Sequence, residues 1–136
     1  MSAKKVTLQN KQVLELFQGL HAVKGMQGSR FAVLVAKNLK EMKKILDPID
    51  ASAIPTREFQ ELSVEMNKHI EAEDQEAIDK LEKEHEELIE ARKTQLMEVN
   101  QKLEESSEVY IYSIKEEQLP EEITGEQLEK LLTIIE

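Results

Sequence analysis

The chain has 136 residues, of which 34% are charged and 4% aromatic; it has no cysteine and a net charge of -10. That length fits one domain, and its core must be built from Leu, Ile, Val and Met. The lack of cysteine excludes disulfides, thiolate nucleophiles and cysteine-based metal sites, and it fits a reducing compartment.

The charge is split along the chain. Up to Lys44 there are 9 basic and 2 acidic residues, a net of +7, and the remainder has 9 basic and 26 acidic residues, a net of -17. Such asymmetry marks either a charged partner or a basic first third that packs beside the acidic arm, with charges paired at the rim. Met1 to Lys5 lack the apolar run of about 7–15 residues found in a secretory signal. No apolar run approaches the roughly 18 residues of a membrane-spanning helix. A soluble protein with no membrane contact is expected.

Lys5 to Leu8 (Lys-Val-Thr-Leu) reads as a short strand. Asn10 is a candidate cap for a first helix, in which Val13, Leu14, Phe17 and Leu20 recur on one face. Gly25 and Gly28 place a loop after it, and Ser29 is a candidate cap for a second helix from Arg30 to about Leu46. That helix has Phe31, Leu34, Val35, Leu39, Met42 and Ile45 on its apolar face, with Lys37, Lys40, Lys43 and Lys44 off it. Asp47-Pro48 is expected to stop it, because proline lacks the amide and disfavours helix at the preceding residue. Residues 47–55 then read as a linker between a basic unit, 1–46, and an acidic arm, 56–105.

The arm has no proline or glycine from Thr56 to about Glu105. As one helix it would span roughly 70 Å at 1.5 Å per residue. Its apolar stripe starts with Phe59, Leu62, Met66 and Ile70 and resumes with Ile78, Leu81, His85, Leu88, Arg92, Leu96, Val99 and Leu103. The second part is close to a heptad seam with two polar occupants. The polar stretch Glu71 to Gln75 between the two parts predicts a hinge and a helical hairpin; the alternative is one continuous rod.

Glu108 to Ile114 (Glu-Val-Tyr-Ile-Tyr-Ser-Ile) is β-branched and aromatic, and it predicts a strand paired with the Val6 strand. Thr124-Gly125-Glu126-Gln127 has capping-box spacing and predicts a final helix with Leu128, Leu131, Leu132 and Ile135 on one face. The expected fold is mostly α: a helical hairpin or coiled-coil arm, with a two-stranded sheet joining the N- and C-terminal regions (106–136 closing the chain).

No residue cluster dictates a reaction. Glu82-Lys83-Glu84-His85 gives one Glu-x-x-His pair where a di-iron bundle uses two. His85 to Ile89 starts like a zinc-protease signature, but Ile89 stands in the second histidine's place. His69 and Glu73 have spacing for a surface cation, and His21 suits a helix C-terminus. The loop Lys24 to Arg30 could offer amides to a phosphate, but it matches neither phosphate-loop pattern. No serine sits in a nucleophile elbow. The chain is therefore expected to be non-enzymatic, with no cofactor, no metal and no small-molecule substrate. Nucleic acid is not expected as a ligand, since helix 30–44 lacks interleaved aromatics and the arm would repel phosphates. The run Glu82, Glu84, Glu86, Glu87 and Glu90 could instead imitate nucleic acid towards a basic protein.

Three segments carry a resemblance. Phe31 to Leu39 (Phe-Ala-Val-Leu-Val-Ala-Lys-Asn-Leu), the strand Glu108 to Ile114, and Leu119 to Leu128 are similar, in that order, to a widespread family of small acidic tailed-bacteriophage proteins of uncharacterised function. The likeness covers nearly the whole chain. The segment 51–55 and the length of the charged middle depart from the pattern. It implies a phage origin, in host cytoplasm or virion, and it carries over no functional residue. The expected role is protein–protein interaction, including self-association, because a thin arm gains by burying a spare apolar stripe. The contact residues expected are Leu81, Leu88, Leu96, Val99 and Leu103.

Overall fold

In the computed structural model, residues 3–136 are described; the reading of Met1 and Ser2 as lacking a leader lies outside them. The protein is mostly α, 68% helical, with a small two-stranded antiparallel sheet. The elements run β1 Lys4–Gln9, α1 Asn10–Val23, α2 Ser29–Ala53, α3 Arg57–Glu71, α4 Gln75–Glu84, α5 Glu86–Glu104, β2 Ser106–Ile111, a 3₁₀ turn Glu116–Gln118, and α6 Gly125–Glu129. They form two units: Met1–Ile49 with Lys102–Glu136, and Asp50–Gln101.

In the first unit β1 pairs with β2 in the register Lys4↔Ile111 to Gln9↔Ser106. The strand period of two sends Val109 and Ile111 into the core and leaves Glu108 and Tyr110 outside. On the outer face Lys5 reaches Glu108 (2.8 Å) and lies over the Tyr110 ring. The hydrogen bond from Lys5 to Glu108, then the charge of Glu108, holds the ammonium above its ordinary value of 10.5. The core packs Val13, Leu16, Leu20 and Val23 of α1 against Phe31, Leu34, Val35, Met42 and Leu46 of α2, together with Val109, Ile111, Ile114, Leu131 and Ile134.

Four expectations are corrected here. Asn10 does not cap α1. It is the first helical residue and is buried, and Gln9 stands at the cap with its N–H donating to Gln12 Oε1 (2.9 Å). Ser29 is likewise the first residue of α2 rather than its cap. The carbonyl of Gly28 takes the first helical bond, from Ala32 N–H (2.8 Å), with Gly28 at φ +124, a value open to glycine at little cost.

Pro48 does not end α2, which runs on to Ala53, so no 47–55 linker exists. Met42, Leu46 and Ile49 are buried at 4-3 spacing across the proline. Burying each such side chain yields about 1.5–3 kcal/mol, against about 3 kcal/mol for an internal proline.

The closing helix is short. After α6 the chain continues in three-residue turns, with Leu131 N–H to Leu128 O and Ile134 N–H to Leu131 O. A period of three aligns 128, 131 and 134, so Leu131 and Ile134 are buried while Leu132 is exposed and Ile135 is only half-buried. The chain end then lies parallel to the continuation of β2: Ile114 N–H donates to Ile134 O, and Glu136 N–H to Ile114 O.

The second unit is a helical hairpin, and its hinge falls where the polar stretch predicts. α3 ends at Glu71 and α4 starts at Gln75. Glu73 N–H donates to Ile70 O and Asp74 N–H to His69 O, with Glu73 left-handed at φ 55. This is the Schellman arrangement that satisfies the last carbonyls of a helix. Asp74 then caps α4 by accepting from Ala77 N–H (3.2 Å).

Candidate protein-interaction surface

α5, with 19 residues, is the longest element with no buried residue. Its inward side is organised by the polar occupants of the seam. Arg92 Nη1 donates to Ala53 O (2.7 Å), and Gln95 Nε2 donates to Ser52 O and Ile54 O (both 2.8 Å). Arg92 also donates to Gln95 Oε1 (2.7 Å) and lies over the Phe59 ring. These donors serve carbonyls at the C-terminus of α2, where no intrahelical partner exists. A seam position that reads as a misplaced charge is thus a helix cap supplied from a distant part of the chain.

At the junction of α4 and α5, His85 N–H donates to Leu81 O and its carbonyl accepts from Ile89 N–H. The helical ladder thus continues past a residue whose φ, ψ of -116, 27 is not helical. His85 and Leu88 share an open groove with Leu62 and with Glu58, Glu61 and Glu65 of α3. Among the described residues no three His, Asp or Glu side chains are placed to share a metal ion. His69 lies in the last turn of α3 and Glu73 in the turn that follows it, and the backbones of both take part in closing that turn.

The five expected contact residues do not form one free face. Leu81 is buried within its own unit, which corrects its assignment as a contact. Leu88, Val99 and Leu103 are half-buried, and Leu103 belongs to the first unit. Leu96 alone is open, 43% exposed. Beside it stands Met97, 62% exposed, which the stripe pattern missed because it lies a quarter-turn off the seam. Ile70, expected on the inner stripe, is 54% exposed, and Val64 and Ile54 are also open.

This apolar surface lies in a strongly acidic unit. Asp50–Gln101 holds 6 basic and 15 acidic residues, a net of -9, while the other unit holds 12 and 13, a net of -1. The basic start of the chain is therefore offset within its own unit by the acidic residues of 102–136, and a smaller imbalance remains between the units.

Two asparagines of the first unit are buried. Asn38, fully buried, donates from Nδ2 to Tyr112 O and Leu34 O, and its Oδ1 accepts from Tyr112 N–H (2.8 Å). Asn10 donates from Nδ2 to Lys102 O (2.7 Å) and accepts at Oδ1 from Ser107 Oγ (2.6 Å). Asn38 thus satisfies the backbone of Tyr112 just beyond β2, and Asn10 satisfies a carbonyl near the C-terminus of α5. The loop Lys24 to Arg30 is held by Met26, whose N–H donates to Val23 O and whose side chain packs on the core.

No family model matches the chain, and neither a curated protein nor a solved structure is found to be similar to it. Among the described residues no helix is long and apolar enough to cross a membrane.

Proposed function

We propose that this is a non-catalytic protein–protein interaction factor of a tailed bacteriophage, acting through the hairpin of α3, α4 and α5 in assembly, chaperoning or a virion interface. One observation carries the reading: a 19-residue helix with no buried residue presents Leu96 and Met97 to solvent within a unit of net charge -9. Apolar side chains grouped on an otherwise charged helix are the usual mark of a surface that meets another polypeptide. The phage assignment rests on the likeness of Phe31 to Leu39, Glu108 to Ile114 and Leu119 to Leu128 to that family.

The test is affinity capture from infected cells, with the wild-type chain compared with Leu96→Glu/Met97→Glu. The reading expects a protein recovered by the wild type and lost with the variant. Identical recoveries would refute it.

A second reading is favoured by the charge itself. Glu82, Glu84, Glu86, Glu87 and Glu90 follow one another along α4 and α5, and the hairpin could occupy the nucleic-acid groove of a host or defence protein. Displacement of the captured protein by duplex DNA separates this reading from the first.

A further inference from the structure

The outward side of α2 in the first unit is a basic ridge. Val33, Lys37, Lys40 and Lys44 recur at 4-3-4 spacing on one helix face, with Arg30 and Lys43 beside them, and all are exposed. Among the described residues, only Lys44 of these cations has a carboxylate within 4.0 Å, that of Glu41. Lys37 is held over the Tyr112 ring instead, 5.3 Å from its centre. The ridge is a row of positive charge about 16 Å long from Val33 to Lys44, at 1.5 Å per residue, and among the described residues only Lys44 of its cations has a carboxylate partner.

The second unit carries the complement. On the outer side of α4 and α5, Asp79, Glu82, Glu86 and Glu90 line a shallow groove with Ile89, and two lysines lie among them. Lys93 already pairs with Glu90 (3.4 Å), which leaves Lys83 as the other cation there. From Asp79 to Glu90 the groove is also about 16 Å long. Ile89 offers the groove an apolar contact, as Val33 does on the ridge.

We infer that the α2 ridge of one copy docks into the α4–α5 groove of a second copy. The ridge and the groove are different surfaces of one chain. Their contact is therefore head-to-tail, and it builds rings or open chains rather than a two-fold dimer. The inference rests on the reading that the arm works by meeting polypeptide, and it names a second copy as one occupant. Exposed charges set orientation and association rate and are screened by salt: the Debye length is about 10 Å at 0.1 M and about 3 Å at 1 M.

The experiment is light scattering on the full chain at millimolar concentration, in about 50 mM and about 500 mM salt. Three samples are compared: wild type, a ridge variant (Lys37→Glu/Lys40→Glu/Lys44→Glu) and a groove variant (Glu82→Lys/Glu86→Lys/Glu90→Lys). The wild type is expected to exceed twice its single-chain mass of 15.7 kDa at low salt and to fall to one chain at high salt. Each variant alone is expected to stay at one chain. An equimolar mixture of the two is expected to associate again, because each ridge then faces a groove of opposite sign. A wild type at single-chain mass in low salt, association by either variant alone, or a mixture that stays monomeric overturns the inference. Binding of the wild-type ridge to duplex DNA with no self-association also overturns it, in favour of a nucleic-acid ligand. The reading under test by capture falls separately, since Leu96→Glu/Met97→Glu changes neither ridge nor groove charge.

Discussion

The side-chain amide of Asn38 pairs with the backbone of Tyr112 on both sides, accepting from its N–H at 2.8 Å and donating to its carbonyl at 2.9 Å. A helix side chain thereby acts as a missing strand for the residue just beyond β2. Lys37, the neighbour of Asn38, lies over the Tyr112 ring, so adjacent residues of one helix hold the same residue by backbone and by side chain. Asn38→Ala should lower stability by about 2–4 kcal/mol, because it strands a buried donor and acceptors at once. Asn38→Asp should cost at least as much at neutral pH, since its carboxylate would face the carbonyls of Leu34 and Tyr112. Burial beside carbonyls raises a carboxyl's folded-state pKa, so this extra cost is relieved as pH falls and the group protonates. Denaturant midpoints of both variants against wild type across pH check this.

Arg92 should matter to the second unit alone. Arg92→Met keeps the length of the stem and removes the donors to Ala53 O and Gln95 Oε1. The expected loss is about 1–3 kcal/mol, the usual worth of hydrogen bonds from a charged donor, here to half-buried acceptors. Hydrogen exchange should show it as faster opening within 50–101, with the amides of α1 and β2 unchanged.

How far the fold was legible can be judged from these residues. The strand pair, the helices and the hinge at Glu71–Gln75 follow from local signals: alternation in Val109 to Ile111, apolar periodicity, and a polar interruption. What stayed hidden depends on partners distant in sequence. Asn10 reads as a cap because nothing local shows that Lys102 and Ser107 will surround it. Pro48 reads as a stop because the burial of Leu46 and Ile49, which offsets it, is tertiary. Leu131 is buried as its spacing suggests, but Leu132 and Ile135 stand where Ile134 belongs, because a change of period from 3.6 to three leaves no mark in composition. On the arm, the stripe located α5 but placed Leu81 on the surface and overlooked Met97, since periodicity reports faces and not which face is already taken.

The hinge itself carries strain. Glu73 is left-handed at φ 55, a conformation that costs a residue with a Cβ about 1–2 kcal/mol. Glu73→Gly should therefore raise stability by up to about 1 kcal/mol, less than the full relief because glycine is freer when unfolded. Thermal unfolding should show a higher midpoint for the variant.

Gly19 tests a close approach in the first unit. A Cβ built there would lie 3.0 Å from Lys130 Cβ and 3.2 Å from Leu131 Cδ2. Gly19→Val should lower stability by about 1–3 kcal/mol through overpacking. Gly19→Ala should cost less, because alanine's better helix propensity, worth about 1 kcal/mol, offsets part of the clash. Chemical denaturation of the two variants gives the order.

The central claim is that the exposed side of α5 is a contact surface for polypeptide. It is tested most directly with a photo-crosslinking residue placed at Met97, and separately at Leu132, which is equally open at 64% but lies on the other unit. Irradiation in infected cells should yield covalent adducts to a second polypeptide from position 97, with few from position 132. No adduct at 97, or the same adducts in the same yield from both positions, would contradict the account.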